Sequence, residues 1–293
     1  MELGTERIRK LLVQYAVPAI IAMTASSLYN MVDSIFIGHG VGALAISGLA
    51  LTFPLMNLAA AFGSLVGVGA ATLVSMRLGQ RDYETAQRIL GNVVVLNLII
   101  GISFGLLTLV FLDPILYFFG ASDATIGYAR EYMSVILWGN VVTHMYLGLN
   151  AVLRAAGHPR KAMYATILTV TINAILDPLF IFVFHMGMAG AALATITGQI
   201  LSFALVVFYL RGFKTLPLSL SDLKPKIACW ARIAALGATP AFNQVAMMVV
   251  QIVMNNTLTY YGSNSVYGSD IPLACAGIIS KVNMLFFSFV IGI

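Results

Sequence analysis

Charge is what this sequence has least of. Lys, Arg, Asp and Glu make up 9% of its 293 residues and hydrophobic residues 60%, whereas a soluble domain carries roughly a quarter charged residues. An ordinary soluble globular domain is therefore excluded. Cysteine is almost missing too, and Cys229 and Cys275 form neither a disulfide framework nor a metal-ligand pattern. The four histidines lie far apart. With no zinc-ligand pair, nucleophile elbow or Ser/His/Asp set, the chain is not expected to be an enzyme or to need a cofactor. No segment alternates apolar and polar residues as a membrane β-barrel strand must. The first apolar stretch is too long for a signal-peptide core and lacks a small-residue cleavage site, so an uncleaved first span is expected.

What the sequence does have is long apolar runs. Residues 11–32, 93–112, 133–153 and 162–176 contain no Asp, Glu, Lys or Arg. Each reaches, with its flanks, the ~20 residues that cross a bilayer as a helix. The expected fold is an all-α polytopic membrane protein with about eight spans, at 11–37, 44–73, 87–112, 125–152, 161–184, 189–211, 229–261 and 271–293. Connections are short except for 212–228, which contains Pro217 and Pro225.

The basic residues fall on one side of this alternation. Arg7, Arg9 and Lys10 precede the first span, and Arg77, Arg81 and Arg88 follow the second. Arg154, Arg160 and Lys161 follow the fourth, and Arg211, Lys214, Lys224, Lys226 and Arg232 surround the long loop. The opposite loops carry His39, Asp113, Asp123, His185 and Asp270, with Arg130 the one base among them. Such a bias predicts a multi-pass protein of a bacterial-type inner membrane with its N-terminus in the cytoplasm. It also accounts for the formal net charge of +5 without a nucleic-acid partner. The expected partners are the bilayer and small organic molecules. A seven-helix receptor conflicts with both the orientation and the eighth span.

An internal repeat is legible. Pro18 aligns with Pro240, and fifteen residues on Asp33 meets Asn255. Further along, residues 44–48 (Leu-Ala-Ile-Ser-Gly) resemble residues 273–277 (Leu-Ala-Cys-Ala-Gly), and from there equal steps reach Gly63 and Gly292. Both copies would begin on the same side, giving parallel repeats of the kind that flank a transporter's substrate site. The expected domains are an N-terminal six-helix lobe at 1–211, an inter-lobe loop at 212–228 and the first two helices of a second lobe at 229–293. On this reading the chain is expected to be a fragment.

Ionisable groups at membrane depth are costly and mark function. Asp33 and Asp177 qualify, and Asn173 lies one turn before Asp177 on the same helix face. By position along their spans, Asp33, Tyr132, Asn173, Asp177 and Thr195 all sit in the outer half of the bilayer, so one site can hold them. Carboxylate, amide and hydroxyl oxygens suit Na⁺, for which Asp33, Asn173 and Thr195 are the candidate ligands, and a carboxylate out of water gains from taking up H⁺. The competing reading is that these groups only bond the bundle together. Pro18 removes the hydrogen bond to the Gln14 carbonyl and is the candidate bending point of the first helix. Gln14, Tyr29, Asn150, Asn255 and Lys281 are the candidates for a substrate cavity. His144 and most of the methionines read as interior packing residues.

Three segments carry a resemblance: Pro18 with residues 29–38 (Tyr-Asn-Met-Val-Asp-Ser-Ile-Phe-Ile-Gly), residues 153–160 (Leu-Arg-Ala-Ala-Gly-His-Pro-Arg), and residues 173–182 (Asn-Ala-Ile-Leu-Asp-Pro-Leu-Phe-Ile-Phe). They resemble the first helix, the turn before the fifth helix, and the fifth helix of the multidrug and toxic compound extrusion (MATE) family. The resemblance implies a twelve-helix, two-lobe transporter that exchanges Na⁺ or H⁺ for organic, often cationic, compounds by alternating access. It implies a cation site at Asp33, Asn173, Asp177, Thr195 and Tyr132, a bending first helix at Pro18 and a cavity-lining Asn150. A flippase for lipid-linked saccharides, from the same broad superfamily, is the alternative; it would favour a strongly cationic cavity, toward which Lys281 alone points.

Overall fold

The computed structural model describes residues 8–212 and 220–291, so Arg7, Lys214, Pro217 and Gly292 lie outside the described residues. The described chain is helical, with no strand among the described residues: α1 (Ile8–Gly40), α2 (Ala43–Gly79), α3 (Tyr83–Val110), the short α4 (Leu112–Phe118), α5 (Ile126–Trp138), α6 (Asn140–Ala155), α7 (Pro159–Pro178), α8 (Gly187–Arg211), α9 (Ile227–Ser263) and α10 (Asp270–Ile291). Among the described residues seven helices are long and apolar enough to cross a membrane, and α5 with α6, bent by 59°, make an eighth when counted as one broken span. The eight expected spans are therefore present. The fourth is broken at Gly139, where a Cβ would lie 2.2 Å from Cδ1 of Ile196 on α8. The bend seats the α5–α6 junction against α8.

Local chemistry sets the other breaks. Asp82 caps α3 by accepting a hydrogen bond from the Thr85 amide (3.1 Å), and the Thr85 side chain together with that amide lowers its carboxyl pKa from the usual value. Pro159 opens α7 at the first turn, where its missing N–H costs nothing. Pro178 ends α7, and the chain continues as a single π-helical turn, Leu179–Val183. A proline cannot donate to the helix ladder, and π turns of this kind accumulate at functional sites.

Two apolar layers fill the bundle. One joins Val66, Leu73, Ile89, Leu153, Val206 and Ile233 near the end where α1 begins, here the proximal end. The other joins Ile37, Leu51, Leu116, Met133, Ile181 and Met188 near the distal end. Side chains fasten each end: Ser75 bonds the Ala155 carbonyl (3.1 Å) and Gln87 bonds Asp222 (2.8 Å) proximally, and Ser47 bonds the Asp270 carbonyl (2.6 Å) distally. Arg130, the distal base, makes a bidentate pair with Asp113 at 2.7 and 2.8 Å. Its charge is thus matched locally. Outward-facing Leu107, Val110, Trp138 and Phe208 are exposed, as lipid contact requires.

The tightest helix contact joins α2 to α9. A Cβ on Gly69 would lie 2.0 Å from the Ile233 carbonyl oxygen, and one on Gly237 2.0 Å from the Leu65 carbonyl oxygen. Only glycine lets these backbones meet, which is how membrane helices gain packing without a hydrophobic driving force.

Candidate functional site

Four helices of the first part of the chain converge on one buried cluster, and each is aimed by its own periodicity. On α1, Tyr29 and Asp33 are one turn apart; on α7, so are Asn173 and Asp177. Asp33 is 3% exposed, and Asn173 and Asp177 are fully buried. Tyr132 reaches in from α5 and Thr195 from α8, their side chains adjacent.

The Asn173 amide organises the hydroxyls. Oriented to satisfy its neighbours, it donates Nδ2 to the Thr169 carbonyl (2.9 Å) and accepts at Oδ1 from the Tyr29 hydroxyl (2.8 Å). Thr195 Oγ1 lies 3.2 Å from the amide and 2.9 Å from the Tyr29 hydroxyl, and donates to the Ala191 carbonyl at 3.2 Å. Gly198 makes room on α8, since a Cβ there would come within 2.7 Å of this amide.

The buried carboxyls of Asp33 and Asp177 are neighbours, close enough to act on each other. Otherwise Asp33 Oδ1 and both Asp177 oxygens find no hydrogen-bond donor among the described residues. Two facing carboxylates removed from water repel and lack donors, an arrangement that costs several kcal/mol or more unless a cation joins them. A shared proton satisfies the pair directly. Na⁺ suits the same oxygens, with the Asn173 and Thr195 oxygens alongside. Among the described residues no group of three His, Cys, Asp or Glu side chains gathers; the donors here are two carboxylates with amide and hydroxyl oxygens, all hard oxygen ligands.

The cluster joins all five side chains expected of the cation site and adds Tyr29, expected instead in the substrate cavity. Lys281 comes close as well: from α10 its ammonium donates to the Asn30 carbonyl (2.9 Å) and its charge acts on both carboxylates. The other cavity candidates lie elsewhere. Gln14 is exposed on α1. Asn150 is buried against the Tyr146 hydroxyl (3.2 Å) and the Ala162 carbonyl (3.4 Å). Asn255 is buried on α9, accepts from Gln251 (3.1 Å) and packs against Gly120. Pro18 is buried within an α1 that runs unbroken from Ile8 to Gly40. His144 is buried, with Nδ1 3.1 Å from the Asn140 carbonyl oxygen. Missed from the sequence were Asn30, Phe53 and Gly198. Their roles depend on a neighbour from another helix, and no local pattern announces them.

The model of the MatE family matches residues 18–179, a stretch that holds every side chain of the cluster except Thr195 and Lys281. The chain belongs to the MATE family. It is 31% identical over 268 residues to the multidrug export protein MepA of Staphylococcus haemolyticus, covering 90% of this chain and 59% of that protein. To MepA of Staphylococcus saprophyticus it is 27% identical over 290 residues, covering 94% of this chain and 64% of that protein. Among solved structures, a ligand complex of the MATE multidrug transporter DinF-BH superposes with a TM-score of 0.91 at 33% identity, covering 99% of this chain and 64% of that one. The chain thus spans about three fifths of the length of the relatives it matches.

Proposed function

We propose that this MATE chain handles the coupling ion in an exporter that exchanges Na⁺ or H⁺ for organic compounds by alternating access. The observation that carries this reading is the buried Asp33–Asp177 pair, which lacks donors and is walled by Tyr29, Tyr132, Asn173 and Thr195. Asp33 belongs to α1 and Asp177 to α7, so a cation between them draws the two helices together and its departure lets them separate. The ion and the exported compound are coupled when each binds the two conformations with different affinity. Pro18, upstream of Asp33 on α1, is the candidate point at which that helix bends. The π turn after Pro178 supplies a second soft point beside Asp177.

Family membership and the relatives named for multidrug export support this reading. The proximal bias of basic residues supports a cytoplasmic N-terminus. The lobe division at 212–228 is proposed from the repeat and from the long connection between α8 and α9. Among the described residues, the cavity between α1, α2 and α10 is lined mainly by apolar side chains with Lys281 its one lysine, which gives a lipid-linked saccharide flippase little support.

The test is ethidium efflux by the full-length protein in drug-hypersensitive cells, with and without a Na⁺ or H⁺ gradient, beside Asp33→Asn and Asp177→Asn at matched expression. Gradient-driven efflux lost in both variants supports the reading. Efflux that survives both substitutions removes the ion site.

A further inference from the structure

Lys281 is the only charged side chain between Ile271 and Ile293, and it reaches α1 rather than lipid. Its Nζ donates to the Asn30 carbonyl at 2.9 Å, and Asn30 stands one turn before Asp33 on α1. The ammonium also lies over the Phe53 ring of α2, 5.5 Å from its centroid, a contact that holds a cation without neutralising it. Elsewhere α10 is held to α2 and to the turn before α5. Asp270 accepts from Ser47 at its carbonyl (2.6 Å) and from Ser122 at Oδ1 (2.9 Å), and Gly277 packs against Ala50. Lys281 is therefore the charged point of attachment between α10 and α1, placed where its field falls on both carboxylates.

The charges can be counted. Two ionised carboxylates and one ammonium leave a single negative charge in a buried setting, where an unbalanced charge is expensive. We propose that Lys281 is a tethered cation of the site: it supplies one of the two positive charges that Asp33 and Asp177 need, so one mobile monovalent cation completes the site. It also carries the site's state to the α1–α10 contact. While the carboxylates lack their mobile cation they present two negative charges to the ammonium and draw it toward α1; once that cation binds, one negative charge remains, the attraction weakens and α10 is held less tightly. A cavity of about 340 Å³ bordered by Ser34, Ile35, Phe53, Ile278 and Lys281 lies beside the contact, so α10 has space to shift there. The inference rests on reading Asp33 and Asp177 as the ion-handling pair.

The experiment is a double-mutant cycle read by cross-linking at constant pH. In the purified chain with Cys229 and Cys275 replaced by serine, cysteines are placed at Ile35 and Ile278, which are exposed and face the same cavity. The rate of bridging by a short bis-maleimide reports the α1–α10 spacing. Asp33→Asn with Asp177→Asn neutralises the pair without changing its size. With Lys281 present, this neutralisation is expected to slow cross-linking about fivefold, within the range of coupling between contacting groups. In the Lys281→Gln chain it is expected to change nothing, and in the Lys281→Arg chain the response is expected to persist. Size-exclusion chromatography checks folding, with Lys281→Met replacing Lys281→Gln if the latter aggregates. A response of equal size without the lysine, or none with it, overturns the tethered cation. If efflux depends on both aspartates yet cross-linking ignores Lys281, only this inference falls; if efflux ignores the aspartates, the ion-pair reading falls with it.

Discussion

Helices α1 and α9 each carry a proline with a polar residue fifteen positions after it, Asp33 in one and Asn255 in the other. Both residues are buried, 3% and 0% exposed, yet their surroundings differ in kind. Asp33 faces a second carboxyl from another helix and has an oxygen with no donor. Asn255 accepts from Gln251 of its own helix at Oδ1, leaves Nδ2 without an acceptor among the described residues, and packs against the turn at Gly120. An amide is neutral, so one unmet N–H costs it far less than burial costs an unpaired carboxylate. A carboxylate facing its like needs a positive charge, and when that charge is mobile the site can take up and release it. Positions that the sequence alignment of the two segments pairs therefore need not share a task.

The comparison breaks most sharply through substitution by the other residue's chemistry. Asp33→Asn or Asp177→Asn should reduce gradient-driven efflux by about tenfold or more, the scale of coupling between ion and substrate. Residual efflux near wild type in the gradient assay would erase the distinction between the helices. Next in size is the backbone contact that seats α9. Gly237→Leu forces a side chain into the Leu65 carbonyl and should destabilise the chain by about 2–3 kcal/mol, seen as a lower midpoint in detergent thermal unfolding. An unchanged midpoint would mean that α9 does not depend on this crossing. Asn255→Ala should lower stability slightly and leave efflux within about twofold, as expected for a hydrogen bond worth about 1 kcal/mol; a large loss of efflux would give α9 an ion-handling role of its own.

The smallest effect calibrates what a carboxylate does outside the site. Asp82 has its pKa lowered chiefly by the Thr85 hydrogen bonds, so its contribution to stability is present above its unfolded pKa and lost as pH falls through the folded one. Asp82→Ala should therefore unfold slightly earlier than the parent at neutral pH. The gap should close in acid, measured as paired melting curves across pH. A gap that persists in acid would mean that the cap acts through something other than its charge.

Much of this was readable from local pattern. The Asn173–Asp177 spacing places both groups on one helix face without any knowledge of the neighbours, because 3.6 residues make a turn wherever the helix sits. Charge-free runs gave the spans for the same reason. The break at Gly139 was harder to see, since a glycine in an apolar run is common in membrane helices and its meaning comes from Ile196 on a different helix. Tyr29 looked like a cavity residue because its position on α1 says which way it faces but not what waits there. Thr195, Asn173 and the room left by Gly198 decide that it joins the buried cluster of Asp33 and Asp177.

The sequence by itself determined the membrane, the number of crossings, the proximal bias of basic residues and the residue types at depth. These depend on length, composition and helical period, which the chain carries in any conformation. Only the tertiary structure decided that the two carboxyls face each other, that Lys281 bonds the Asn30 carbonyl and that α2 and α9 touch backbone to backbone. Those facts depend on side chains 144 and 251 positions apart, as for the Tyr29–Asn173 and Asn30–Lys281 contacts. Separations of that size are closed by packing, which no periodicity along one helix encodes.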